Sequence, residues 1–203
     1  MIRLAILASG SGSNAENIVK YFSHSDAVEV SAIISNKADA YVLERAKYLR
    51  VPSYVMSRAD MVGTDKLLNL LRELKTDWVI LAGFLVLLPE SIVNEYDGKI
   101  LNIHPSLLPK FGGKGMYGDK VHEAVVAAHE KESGITIHTI DTNYDQGTTV
   151  FQAKIRVEPL DNAEKVAQKV HALEYKFYPK VIEDLILGRD FERVVTVEPI
   201  GKD

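Results

Sequence analysis

Residues 2–14 read IRLAILASGSGSN, and this stretch decides the fold class. Residues 2–8 are apolar except for Arg3, which is typical of a parallel strand that is buried on both faces. A glycine-rich loop follows at residues 9–14, and residues 14–22 have helical spacing. A strand, a tight glycine turn and a helix in this order predict the first βα unit of a parallel sheet.

The same alternation continues along the chain and then changes in its second half. Strand-like runs lie at residues 28–34, 53–56, 78–81 and 99–103. Helical patterns lie between them, at residues 41–49, 64–74 and 90–96. A helix at residues 120–131 then precedes two strand-like runs, 134–140 and 150–157, and a long helix at 162–187. Thr64 and Asp161 are the predicted N-caps of the helices that follow them.

These patterns predict an α/β protein with a doubly wound, mostly parallel, Rossmann-like sheet. The two late strands predict an antiparallel edge in the C-terminal half, since a short connection joins them. We expect a single domain over residues 1–190 and a tail at 191–203 without assigned structure.

Composition excludes several functional classes. The chain of 203 residues has no cysteine, which excludes disulfides, thiolate nucleophiles and cysteine-based metal sites. The net charge of −4 argues against a nucleic-acid surface. No stretch approaches the roughly 18 apolar residues of a membrane span. The expectation is a cytoplasmic protein that acts on small molecules.

The glycine loop is a predicted anion site. Glycines allow close backbone approach, and the first N–H groups of a helix favour a negative charge. The spacing Gly10-x-Gly12-x-x-Ala15 also fits a dinucleotide fingerprint, but no acidic residue follows the second strand until Asp39. A phosphate-loop NTPase lacks support because no Gly-Lys-Ser/Thr occurs there. A single phosphate monoester fits best, and a plain turn remains the alternative.

A second polar group is predicted at later strand ends. Asn102 and His104 alternate on the fifth strand, so their side chains share a face. Asp145 lies in a turn after the strand that holds His138. An Asn donor, a His and an Asp suit acyl transfer through an oxyanion. Structural hydrogen bonds or metal ligation would use the same residues.

Four segments, LASGSGSN, AGFLVLLP, KILNIHPSLLPKF and HTIDTNYDQG, together resemble the folate-dependent formyltransferases. The pattern is most similar to the phosphoribosylglycinamide formyltransferase family of purine synthesis and covers nearly the whole chain. The resemblance implies transfer of a formyl group from 10-formyltetrahydrofolate, as co-substrate, to the amine of glycinamide ribonucleotide. It implies no metal, no nucleic acid and no membrane, and a homodimer is compatible with it.

The resemblance also implies roles for individual residues. The catalytic residues would be Asn102, His104 and Asp145, with Asp145 keeping His104 protonated. Those that bind the substrate phosphate and ribose would be Gly12, Ser13, Asn14, His171 and Glu174. Those that bind the folate would be Leu85, Val86, Leu87, Leu88, Asn102, Asp141, Thr142, Asn143, Tyr144 and Asp145.

Other readings share parts of this pattern. Val86 stands where some relatives carry Arg, and Gln146 where others carry Gly. Sugar-nucleotide N-formyltransferases and formyl-folate hydrolases would use the same Asn, His and Asp. A methionyl-tRNA formyltransferase would usually add an RNA-binding domain. A non-catalytic folate- or nucleotide-sensing module would not need all three polar residues.

Overall fold

The structure is a computed structural model that describes residues 1–141 and 147–197. The chain divides into two compact units. The first comprises Met1–Asn102 together with Ile140–Thr142, and the second comprises Ile103–Thr139 together with Asn143–Asp203. The boundary therefore falls inside a strand, at Asn102 and Ile103.

The first unit contains a parallel sheet. Its strands are β1 (Ile2–Leu7), β2 (Val28–Ser35), β3 (Ser53–Val55), β4 (Trp78–Leu81) and the start of β5 (Ile100–His104). They are ordered β3-β2-β1-β4-β5 and all pair in parallel. The chain runs outward from β1 to β3 and then returns to the other side of β1 with β4. The carboxyl ends of β1 and β4 thus form a topological switch point, where open α/β sheets bind ligands.

Five helices connect these strands and cover the first unit. They are α1 (Ser13–Phe22), α2 (Val42–Tyr48), α3 (Arg58–Gly63), α4 (Lys66–Glu73) and α5 (Glu90–Glu95). The first helix buries Ala15, Ile18, Val19 and Phe22 at helical spacing, which fixes the face that packs inward. One core cluster joins Leu7 of β1 with Leu71 of α4 and Ile92 of α5.

Beyond β5, the described residues of the second unit form two helices and three strands. They are α6 (Asp119–Ala127), β6 (Glu132–Thr139), β7 (Thr149–Arg156), α7 (Ala163–Ile186) and β8 (Val194–Val197). Strands β6 and β7 pair antiparallel, and β8 pairs in parallel with β7. Among residues 1–141 and 147–197, no helix has both the length and the apolar character needed to cross a membrane.

The predicted fold class is confirmed: a mostly parallel sheet carries an antiparallel pair in the C-terminal half. Both predicted N-caps are wrong. Thr64 ends α3, and Asp65 is the N-cap of α4. Asn162, whose side chain accepts from the N–H of Lys165, caps α7. Asp161 instead accepts from the N–H of Glu158 and pairs with Lys169.

Candidate active site

The glycine loop follows β1 and leads directly into α1. Gly12 is the N-cap and has φ of 74°, a left-handed conformation that favours glycine. A Cβ at this position would lie 2.2 Å from Cγ2 of Val42. Conformation and space therefore both require glycine. Since Gly12 has no side chain to cap the helix, the start of α1 is open to an external anion.

Ser9 joins this loop to two other strand ends of the first unit. Its hydroxyl donates to Oδ1 of Asn36, which follows β2, at 2.6 Å and accepts from the N–H of Leu85 at 2.9 Å. Its backbone N–H donates to the carbonyl of Gly83, at 3.1 Å. Ser9 is 3% exposed, so these bonds are shielded from water. One buried side chain thus fixes the glycine loop against the segment that follows β4.

The segment after β4 alternates between buried and exposed side chains. Val86 and Leu88 are buried, whereas Leu85 and Leu87 are exposed. Leu88 belongs to the core cluster with Leu7 and Leu71. Core packing and the bond from Ser9 therefore hold the backbone of this segment, while two leucine side chains remain available for an apolar ligand.

Strand β5 carries Asn102 and His104 two positions apart, so both lie on the same face of the strand. Asn102 is partly buried and stands opposite Leu81 at the end of β4. His104 is 4% exposed, and its Nε2 lies 2.7 Å from the carbonyl oxygen of Phe111. A carbonyl can only accept, so Nε2 carries a proton and the ring orientation is fixed.

The loop after His104 is held by polar residues of the second unit. The hydroxyl of Thr136 on β6 donates to the carbonyl of Ser106, at 2.7 Å, and accepts from the N–H of Leu108, at 3.0 Å. Nε2 of Gln152 on β7 donates to that hydroxyl, at 2.9 Å, and to the carbonyl of Leu108, at 3.1 Å. Thr136 is fully buried, so this network rigidifies the chain just beyond the predicted catalytic His.

Three histidines of the second unit interact. The rings of His122 on α6 and His171 on α7 meet edge to face, with centroids 6.0 Å apart. Burial lowers the pKa of His122, and the charges of His171 and His104 lower it further, against a smaller raising effect of Asp119. Within the described residues, Nδ1 of His122 has no hydrogen-bond partner. His122 is therefore a neutral, buried ring.

Sequence comparison assigns these elements to one family. Residues 2–182 match the sequence profile of the formyl transferase family. The chain belongs to the formyl transferase family.

Related proteins found by sequence and by structure carry the same name, phosphoribosylglycinamide formyltransferase. The chain is 36% identical to the phosphoribosylglycinamide formyltransferase of Haemophilus influenzae, over 93% of this chain and 89% of that protein. It is 38% identical to the chloroplastic enzyme of the same name from Arabidopsis thaliana, over 89% of this chain and 64% of that protein. The crystal structure of phosphoribosylglycinamide formyltransferase from Anaplasma phagocytophilum superimposes with a TM-score of 0.89 at 33% identity, covering 98% and 99% of the two chains.

For this formyl transferase, the first unit brings together part of the predicted set. Gly12, Ser13 and Asn14 form the start of α1, and Asn102 ends the unit. Asp141 is partly buried and follows Ile140, whose N–H donates to the carbonyl of Ile100. The predicted residues Thr142, Asn143, Tyr144 and Asp145 lie outside the described residues.

In the second unit, His171 and Glu174 occupy adjacent turns of α7. His171 is exposed and stacks on Tyr175, with ring centroids 6.5 Å apart. Glu174 is buried. The burial of Tyr178 itself, and then the charge of Glu174, raise the pKa of Tyr178 well above its ordinary value. No group of three or more His, Asp or Glu within residues 1–141 and 147–197 is placed to hold a metal ion.

Sequence reasoning missed several residues that hold the site. Ser9 lay inside the quoted glycine motif, but its partners Asn36 and Leu85 are remote in sequence. Thr136 was detectable as a polar residue between Ile135 and Ile137 of β6. His122 gives no signal in the sequence, because its burial depends on packing that spacing alone does not reveal.

Proposed function

We propose that this chain transfers the formyl group of 10-formyltetrahydrofolate to the primary amine of glycinamide ribonucleotide. The products are formyl-glycinamide ribonucleotide and tetrahydrofolate, in the de novo synthesis of purines. The proposal rests on alignments that cover most of this chain and most of each related protein. Proteins named for this reaction align with this chain over most of both lengths, at 89% of the Haemophilus enzyme and 99% of the Anaplasma chain.

The chemistry is a direct acyl transfer. The lone pair of the acceptor amine attacks the formyl carbon, the carbonyl oxygen becomes an oxyanion, and the bond from carbon to N10 then breaks. The amine loses one proton and N10 gains one, so the reaction is balanced without a metal. Asn102 and a protonated His104 stabilise the oxyanion, and Asp145 keeps His104 charged and passes the proton.

The burial of His104 supports this role. A hydrogen-bond donor stabilises a developing charge more strongly where water is excluded, and it works best when its orientation is set beforehand. The ring of His104 is 4% exposed and is oriented by the carbonyl of Phe111. The loop that supplies this carbonyl is anchored in turn at Ser106 and Leu108 by Thr136.

The acceptor would bind through its phosphate and ribose. Gly12, Ser13 and Asn14 offer the N–H groups and dipole of a helix start, which suit a phosphate monoester. His171 and Glu174 would contact the ribose and phosphate from α7. Since a carboxylate repels phosphate, Glu174 is better suited to the ribose hydroxyls.

Membership of the formyl transferase family implies a folate-derived formyl donor. We assign its pterin ring to residues 85–88 and to the segment from Asp141 to Asp145. The exposed side chains of Leu85 and Leu87 provide apolar surface for a flat ring. The N–H of Leu85 is already donated to Ser9, so this residue would hold the ring by packing rather than by that bond.

The proposal extends to a cytoplasmic enzyme that acts as a homodimer on small molecules and needs neither nucleic acid nor a membrane. Light scattering of the purified chain would measure its mass in solution. A monomeric mass would remove the dimer from the proposal without affecting the chemistry.

The activity is tested by incubating the protein with 10-formyltetrahydrofolate and glycinamide ribonucleotide, beside a reaction without acceptor. Turnover that requires the acceptor is the expected result. Formate released without acceptor would identify a hydrolase instead. Turnover only with amino-sugar nucleotides would identify the sugar-nucleotide branch of the family.

The catalytic assignment predicts the effect of three substitutions. Asn102→Ala, His104→Ala and Asp145→Asn should each lower kcat, with about a 100- to 1,000-fold loss for a missing oxyanion donor. Matched controls are Asn69→Ala, His24→Ala and Asp97→Asn, which change exposed residues of the first unit. Steady-state kinetics with thermal unfolding separates lost chemistry from lost folding. A folded variant with normal kcat removes that residue from the mechanism.

A further inference from the structure

The first turn of α2 lies against the glycine loop. The N–H of Val42 donates to the carbonyl of Gly10, at 3.1 Å. The side chain of Val42 fills the space where Gly12 would carry a Cβ. The loop is therefore held by α2 as well as by the helix that it precedes.

Arg45 makes the next contact, one turn further along α2. Its Nε donates to the carbonyl of Ser11, at 2.8 Å. Its Nη1 pairs with the carboxylate of Glu16 on α1, and its guanidinium lies 5.0 Å from the ring centroid of Tyr41. The side chain of Arg45 is 29% exposed, and its bond to Ser11 lies at the surface. One guanidinium thus joins the loop, α1 and α2.

These contacts determine which way the loop's N–H groups face. In a planar trans peptide the carbonyl and the following N–H point in opposite directions. The carbonyls of Gly10 and Ser11 both point to α2. The N–H groups of Ser11 and Gly12 therefore point away from α2, as an anion-binding loop requires.

We propose that Arg45 is a positioning residue that orients the glycine loop for the phosphate of the acceptor. This inference rests on the proposed function, because it deepens the same acceptor site. Arg45 acts through the carbonyl of Ser11 and does not touch the phosphate itself. Glu16 pairs with Arg45 and also with Lys20, and we assign the main effect of Arg45 to the direction of the N–H of Gly12.

The geometry explains why arginine is required here. A planar guanidinium can donate to a carbonyl and a carboxylate at once while its face lies over an aromatic ring. A lysine ammonium is a compact charge without such a plane, so Arg45→Lys should restore only part of the effect. Tyr41→Phe keeps the ring and should behave as the wild type.

The experiment measures acceptor binding by calorimetry, which does not depend on turnover. Two acceptors are compared: glycinamide ribonucleotide and the same riboside without its phosphate. In Arg45→Met the ribonucleotide should bind about tenfold or more weakly, the effect of losing a charge-assisted hydrogen bond. The riboside should bind as it does to the wild type. Arg72→Met removes an exposed ion pair with Glu95 in the same unit and serves as the control.

A second variant separates orientation from charge. Arg45→Met leaves the carboxylate of Glu16 without this partner near the start of α1, and that charge alone would oppose a phosphate. In Arg45→Met with Glu16→Gln the loss of affinity should persist. Full recovery in the double variant would overturn the proposal, because Arg45 would then only neutralise Glu16.

Two further outcomes would overturn it. Equal weakening of the ribonucleotide and the riboside would make Arg45 a residue that only maintains the fold. Unchanged ribonucleotide binding in Arg45→Met would show that the loop keeps its orientation without it. If the wild type binds neither acceptor, the proposed function fails. In the two outcomes above the wild type still binds the ribonucleotide, so they overturn only the role of Arg45.

Discussion

Among single residues, His122 makes the most unusual contribution to the electrostatics of the second unit. It is 1% exposed, and its Nδ1 has no hydrogen-bond partner among residues 1–141 and 147–197. A protonated ring there would be a buried charge that only Asp119 offsets in part, which is costly. Burial, with the charges of His171 and His104, therefore keeps its pKa below the ordinary value despite Asp119.

This lowered pKa predicts how stability depends on pH. In the unfolded chain His122 titrates near its ordinary pKa of about 6.5, so below that pH the unfolded state binds a proton that the folded state does not. The contribution of His122 to the free energy of unfolding is thus complete above this pH and falls as the pH falls. Urea unfolding of the wild type and of His122→Leu from pH 8 to pH 5 (about three units, spanning the titration) should show a weaker decline in the variant.

The control for this measurement is His24→Leu, which changes an exposed histidine of the first unit. It should leave the pH dependence of the wild type intact. An identical decline in the wild type and in His122→Leu would show that His122 does not carry the acid sensitivity.

The roles of single residues were only partly accessible from the sequence. Gly12, Asn102 and His104 stand in motifs whose chemistry is local, so spacing was enough to select them. Arg45 and Thr136 act through the carbonyls of Ser11 and Ser106, which are 34 and 30 residues away. Such partners depend on tertiary packing, and no short motif encodes them.

At the scale of elements, most strands and helices were predicted within one or two residues, and the misses were α3 and β8. The expected strand at 78–81 agrees with β4, because its apolar run begins after Asp77 and is followed closely by Gly83. Helix α3 was missed, since only Met61 is buried and six residues give no periodicity. Its N-cap signal was present, because Ser57 accepts from the N–H of Asp60. Strand β8 was also missed, and its pairing with β7 is long-range.

The antiparallel pair of β6 and β7 predicts one sharp effect on stability. A Cβ at Gly134 would lie 1.9 Å from the carbonyl oxygen of Ala153 on β7 and 2.9 Å from Leu107. A backbone oxygen in a sheet cannot move aside without disturbing the ladder. Gly134→Ala should therefore lower the free energy of unfolding by roughly 1–3 kcal/mol, the usual cost of overpacking.

Gly63→Ala is the matched substitution, because nothing lies within 4 Å of its added Cβ. It should be neutral or slightly stabilising. Both free energies are measured by urea unfolding monitored by circular dichroism. Equal stability of the two variants would mean that β6 and β7 approach less closely than the structure shows.

For the molecule as a whole, we propose that residues 1–190 unfold as one domain, although the chain forms two compact units. The reason is that the boundary falls within β5, so neither unit has a complete set of strands alone. Trp78, the single tryptophan, reports on the first unit. Helical circular dichroism reports on both units, because the first contains α1 to α5 and the second contains α6 and the 24-residue α7.

Cooperative unfolding makes the two signals coincide. Tryptophan fluorescence and helical circular dichroism, recorded on the same urea series, should give one midpoint. A tryptophan transition at a distinctly different urea concentration would show that the units unfold separately and would overturn the single-domain proposal.

The Ser9 hydroxyl joins the glycine loop, which we propose for the acceptor, to the segment after β4, which we propose for the donor, through its bonds with Asn36 and Leu85. Neither segment can shift without straining its bond to Ser9. A ligand that orders one segment therefore changes the binding free energy of a ligand at the other. Thermodynamic linkage then requires reciprocity: whatever factor the nucleotide confers on folate affinity, folate must confer on nucleotide affinity. Ser9 would thereby couple the affinities of the two reactants, by the same factor whichever of them binds first.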